Sequence, residues 1–115
     1  MTFIEAFEKI KTAAAKSNAS GIEGHLAIQI ELTDPDAAGT LYFEVVDGRL
    51  HVEPYDYVDR DATFRILSRD LIRMLSGRLG YEKAIENRLL SVEGNALRAT
   101  EFKKLIVKTP RKSKS

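Results

Sequence analysis

"DATFRILSRDLIRMLSGRL", residues Asp61 to Leu79, decides how this chain is read. In its first part Ala62, Phe64 and Ile66 alternate with Thr63 and Arg65, the period of a strand that is apolar on one side. From Ser68 the period lengthens to that of a helix. Ser68 stands at the N-cap, and Asp70 suits the positive end of the first turn. Leu71, Ile72, Met74 and Leu75 make a wide apolar stripe that Gly77 brings to a stop. A strand therefore runs almost directly into a helix, and the apolar side of both offers hydrocarbon rather than reactive groups.

The flanking segments obey the same two periods. Residues 2–16 fit an amphipathic helix: Thr2 and Glu5 have capping-box spacing, and Phe3, Phe7, Ile10 and Ala14 share a face. "SNASG" ends it with turn-forming residues. In "HLAIQIEL" Leu26, Ile28, Ile30 and Leu32 face one way and Ala27, Gln29 and Glu31 the other. "TLYFEVV" repeats the pattern with Leu41, Phe43 and Val45. Asp47-Gly48 then suits the positive φ angles of a type I′ turn, and "RLHVE" returns as the second arm of a hairpin.

Downstream, "YEKAIEN" reads as a short helix with Tyr81, Ala84 and Ile85, and "RLLSVEGN" as a strand with Leu90 and Val92 inward. Asn95 caps a last helix carrying Ala99, Phe102, Leu105 and Ile106. Pro110 bars its continuation, and "RKSKS" reads as disordered. One-faced strands of this kind characteristically pair antiparallel, polar side in water and apolar side under helices. The expected fold class is α+β: one antiparallel sheet covered on one face by helices.

A length of 115 residues fits one domain, placed at residues 1–107, followed by a basic flexible tail over 108–115. Such a chain buries enough surface to fold without disulfide or metal, and it has no cysteine for either. Hydrophobic content of 43% with 30% charged residues argues against general disorder. Glu5 and Glu8 interrupt the apolar residues of the N-terminus, so it has no signal-peptide core, and no run approaches the ~20 apolar residues of a membrane span. The expected location is cytoplasmic. The net charge of +1 conceals an asymmetry: Lys103 to Ser115 holds six basic residues and no acidic one, leaving 12 Lys+Arg against 17 Asp+Glu, or −5, in the rest.

Reactive motifs are missing. His25 opens a strand and His51 lies on the polar side of another, neither at metal-ligand spacing to a second ligand. The sequence contains no G-x-S-x-G, H-E-x-x-H, P-loop or G-x-G-x-x-G, so neither metal nor cofactor is implied. Asp34/Asp36 and Asp59/Asp61 read as solvated turn residues. An enzyme is not the expected function. An acidic body without a basic aromatic platform argues against nucleic acid.

The order of helix, one-faced strands, "DATFRI" and its helix, a short helix, "LLSVEGN" and a final helix resembles the sterol-carrier-protein family of non-specific lipid-transfer domains. The resemblance rests on Asp61-Ala62-Thr63, Gly77-Arg78-Leu79, Gly94-Asn95 and the Asp47-Gly48 hairpin, and covers roughly residues 3–107. The "DPDAAG" connection, the "PYDYVDR" loop and the tail depart from the family pattern. The chain ends Ser113-Lys114-Ser115, with serine where eukaryotic members often carry the leucine of a peroxisomal signal.

The resemblance implies about five strands and a hydrophobic tunnel between sheet and helices that takes a fatty acid, acyl-CoA or sterol-like lipid. The candidate lining is Phe43, Phe64, Ile66, Leu71, Met74, Leu75, Leu79, Ile85, Leu90, Phe102, Leu105 and Ile106, with the last helix as lid. At ~0.8 kcal/mol per methylene a long acyl chain offers roughly 10 kcal/mol gross, which ordering costs reduce to micromolar-range affinity.

Two features carry paired readings. Arg98 falls on the face of Phe102 and Leu105: it clamps a lipid carboxylate or phosphate, or its head reaches water while its stem covers apolar surface. The basic tail rests transiently on an anionic membrane, or is a solvated terminus. The alternative to a carrier is a non-catalytic accessory module with a filled core that assists a lipid-modifying enzyme or complex. Nothing in the sequence specifies an oligomeric state.

Overall fold

Thr2 and Glu5 close the capping box that the sequence predicts. The Glu5 N–H donates to Thr2 Oγ1 at 3.2 Å, and the Thr2 N–H donates to Glu5 Oε1 at 2.7 Å. That second bond, with the Thr2 hydroxyl beside the carboxyl, holds Glu5 below its ordinary value. The cap starts α1, Phe3–Ala14, which buries Ala6, Phe7, Ile10 and Ala14. The computed structural model describes residues 1–106; the expected tail over 108–115 lies outside the described residues.

The chain continues as β1 (His25–Leu32), β2 (Gly39–Val46), β3 (Arg49–Glu53), β4 (Ala62–Ile66), α2 (Ser68–Leu75), α3 (Tyr81–Glu86), β5 (Leu90–Gly94) and α4 (Ala96–Ala99). A 3₁₀ helix over Thr100–Leu105 follows, so the last helix, expected as one element, changes pitch after a single turn. Asn95 caps it as expected, its Oδ1 accepting from the Arg98 N–H at 3.1 Å. Asp47 and Gly48, at φ +51° and +77°, make the hairpin turn between β2 and β3.

The five strands form one sheet in the order β3-β2-β1-β4-β5. It is not purely antiparallel. β1 pairs with β4 in parallel register, Ile28 opposite Ala62 and Ile30 opposite Phe64, while the other three pairings are antiparallel. The reason lies in residues 54–61. β3 and β4 run in the same direction on either side of the β2–β1 pair, so this segment returns the chain across the outer face of the sheet. Alternation reports which face is apolar, and it is blind to strand direction.

This strap also corrects the expectation of a wet outer face. The Tyr57 N–H donates to Gln29 Oε1 at 2.9 Å, and Arg60 donates to Thr63 Oγ1 at 2.7 Å. Ala27, Gln29 and Thr63 are buried beneath it. Burial on both faces is the usual surrounding of parallel strands.

Two aspartates expected to be merely solvated are structural. Asp34 accepts from the Ser68 N–H and from the Ser68 hydroxyl, each at 2.8 Å, and so caps α2 from the β1–β2 connection. Ser68 is accordingly the first helical residue, and Leu67 occupies the cap position with no side-chain bond of its own. Asp61 accepts from the Ala27 N–H at 2.8 Å and donates its own N–H to the Ala27 carbonyl at 2.7 Å, fixing where β4 begins beside β1.

Candidate functional site

The inner face of the sheet is built by alternation. Leu26, Ile28, Ile30 and Leu32 of β1, Leu41, Phe43 and Val45 of β2, and Phe64 and Ile66 of β4 are all buried on it. Register places Phe43 beside Ile28 and Phe64 beside Ile30, so two rings stand on strands flanking the central β1. From the helical side the 3₁₀ helix lowers Phe102 between them. Its centroid lies 5.3 Å from Phe43 and 5.1 Å from Phe64, the latter edge-on, and Tyr81 of α3 tilts against Phe64 at 6.0 Å. Edge-on and tilted contacts are the favourable geometries for such rings.

Ten of the thirteen predicted site residues meet in this layer: Phe43, Phe64, Ile66, Leu71, Met74, Leu75, Leu79, Leu90, Phe102 and Leu105 are all buried in one core cluster. Three stand apart. Ile85 is 42% exposed because α3 turns Tyr81 and Ala84 inward instead. Ile106 is partly exposed at the end of the 3₁₀ helix. Arg98 directs a guanidinium N–H to the His25 carbonyl at 2.5 Å, tying α4 to the first residue of β1.

The sequence reading left out Tyr81, whose hydroxyl burial pushes above its ordinary pKa, and α1's Phe7 and Ile10, which belong to the same cluster. Their periodicity was visible; that α1 and α3 share one interior with the strands was not. Asp70, in the first turn of α2, is buried and accepts from Arg73 at 2.9 Å. On the opposite face of the sheet the strap sets a second cluster. The Tyr57 hydroxyl donates to Glu44 Oε2 at 2.6 Å, and His25 Nε2 lies 2.8 Å from the same oxygen. The Tyr57 hydroxyl and His25 together hold Glu44 below the ordinary carboxylate value, and the bond to Glu44 pushes Tyr57 up to about 12.

Among the described residues no group of three or more His, Cys, Asp or Glu is placed to hold a metal, and no helix is long and apolar enough to cross a membrane. An open groove of about 650 Å³ runs over α1 and Ile72, lined by Met1, Glu5, Glu8, Lys9 and Thr12. None of the predicted lining residues borders it. The chemistry this arrangement supports is apolar contact.

Among curated proteins none matches this chain. Solved structures share its fold. The inverting sec-alkylsulfatase Pisa1 from Pseudomonas sp. superimposes with a TM-score of 0.71 at 14% identity over 88% of this chain, which spans only 16% of that enzyme. Sterol carrier protein 2 like 2 from Aedes aegypti superimposes with a TM-score of 0.63 at 18% identity, covering 90% of this chain and 96% of that one. The ubiquinone synthesis protein UbiJ-SCP2 gives 0.57 at 16% identity over 84% and 76% of the two chains. Residues 4–107 match the SCP-2 sterol transfer family, and the chain belongs to it.

Proposed function

We propose that this protein binds and transfers an apolar lipid, such as a fatty acid, acyl-CoA or sterol-like molecule, in the layer between its sheet and its helices. The observation that supports the reading most is the single apolar seam running from β2 and β4 to α2 and the 3₁₀ helix, with the Phe43–Phe64–Phe102 rings at its centre. Membership of a sterol transfer family supports it independently. The Aedes aegypti relative of the same fold carries palmitate in one of its solved structures.

In this conformation Phe102 packs against both Phe43 and Phe64, so a guest needs a ring to move. Phe102 is the one to move. It hangs from a six-residue 3₁₀ helix, a geometry with poorer hydrogen bonds than an α-helix and uncommon at that length. The segment is held on the outside by exposed polar contacts: Arg98 on the His25 carbonyl and Lys103 on Glu82. Swinging the 3₁₀ helix outward takes Phe102 and Leu105 from the seam and leaves Phe43, Phe64, Met74 and Leu75 to meet an acyl chain. Few hydrogen-bonding groups face that space, so selectivity comes from its shape.

The ring contacts also favour a second reading, a module whose interior stays filled and which assists another protein. Two neighbours show the fold in other settings: one is a ubiquinone synthesis protein, and the other is an enzyme of which the matched part is only 16%. Native mass spectrometry of freshly purified protein, followed by solvent extraction, separates the two. Copurifying lipid and saturable uptake of added fatty acid are expected. Protein that is always empty and takes up no fatty acid leaves the accessory reading.

A further inference from the structure

We propose that Phe43 sets a length limit on the guest: the seam takes a straight acyl chain of about eleven carbons and turns away a sterol nucleus. This rests on the carrier reading above and narrows it, from apolar lipids in general to medium-chain fatty acyl groups.

The limit follows from what the 3₁₀ helix can vacate. Its buried side chains are Phe102 and Leu105. The rest of the lining stays behind: Phe43 and Phe64 stand on strands paired on both sides, and Met74 and Leu75 are buried on α2. Protein interiors are packed like organic solids, so a guest occupies the space that departing side chains leave and little more. Phe102 and Leu105 together carry about eleven side-chain carbons, and a linear chain of about that many carbons fills the same space at the same density. A sterol holds about seventeen carbons in one rigid block of fused rings, which cannot bend to share that space and would force the strands apart.

The two ends of the seam differ. Phe64 lies beside Val92 of the edge strand β5, which is only partly buried, and against Tyr81. Over the Tyr81 ring, 5.9 Å from its centroid, stands the Lys103 ammonium in its exposed pair with Glu82, so this end opens toward solvent. Phe43 lies between Ile28 and Val52, both buried, on the strands either side of β2. An acyl chain therefore enters past Phe64 with its carboxylate left at the Tyr81 end, and its methyl end meets the Phe43 ring.

Calorimetric titration of the full chain with saturated fatty acids of eight to eighteen carbons, each below its micelle-forming concentration, tests this. Affinity is expected to rise about fourfold per methylene up to about twelve carbons, the carboxyl carbon staying outside. Beyond that it levels off, because further methylenes remain in water, and cholesterol is expected not to bind. Phe43→Leu takes about three carbons out of the end wall and is expected to move the levelling point to about fifteen carbons. Phe102→Leu is the contrast: it raises affinity at every length and leaves the levelling point in place, since this side chain is absent from the filled seam. The length series on the unaltered chain decides even where Phe43→Leu does not fold. Affinity still climbing fourfold per methylene from twelve to eighteen carbons, cholesterol bound as tightly as laurate, or a levelling point that folded Phe43→Leu does not move overturns the limit and leaves the carrier reading standing. No uptake of any fatty acid or of cholesterol removes the carrier reading and the limit with it.

Discussion

Gly94 has little freedom to change. It sits at φ +103° opposite Ala62, and a Cβ there would lie 2.8 Å from the Asp61 carbonyl oxygen and 3.0 Å from the Ala62 Cα, both backbone atoms unable to yield cheaply. Gly94→Ala is expected to lower unfolding free energy by about 2–4 kcal/mol in urea denaturation. Arg98 illustrates a different limit. Its spacing placed it on an apolar face, and nothing local says where a long flexible side chain finds its partner. Because its head is engaged by the His25 carbonyl, Arg98→Ala is expected to cost about 1 kcal/mol of stability and, by loosening the 3₁₀ helix, to leave fatty-acid affinity undiminished or raised. A tenfold loss of affinity by isothermal titration would instead return it to the role of carboxylate clamp.

Among the elements, the strap over residues 54–61 is the one that sequence patterning could not place. "PYDYVDR" has no period, so its role emerges only when Tyr57 reaches Gln29 and Glu44 on strands far away in sequence. Its electrostatics give a pH signature. Tyr57 ionises at about 12 in the folded protein against 10 for the free side chain, so its contribution is complete below pH 10 and fades as pH rises toward 12. Glu44 is shifted the other way. Its contribution is present above pH 4.5 and is lost as pH falls through its lower folded value. Tyr57→Phe should therefore cost about 1–2 kcal/mol near neutrality and remove the part of the alkaline decline that belongs to this bond. Equal slopes for the variant and the unaltered protein between pH 10 and 12 would show that the bond does not persist in solution.

Across the whole molecule, the 3₁₀ helix joins stability to the proposed function, because Phe102 closes the core and is the side chain a guest must displace. Phe102→Ala is expected to cost about 3–5 kcal/mol, since the Phe43 and Phe64 rings lose their shared partner. Added palmitate should restore part of this, about 2.7 kcal/mol at a hundredfold excess over its Kd, seen as a rise in melting temperature. An apolar hollow that no fatty acid stabilises would favour the filled accessory module.

The sequence by itself determined the elements and the family, because helix and strand periods, the Thr2 and Asn95 caps and the Asp47-Gly48 turn are local properties of short segments. It also determined most of the buried seam, since residues on one face of a strand or helix travel together. Only the tertiary structure decided that β4 lies parallel to β1, that Asp34 caps α2, that Ile85 turns outward and that Arg98 binds a strand carbonyl. Each of these depends on which surfaces meet across a long span of chain, and an amphipathic pattern specifies that a face is covered without specifying what covers it.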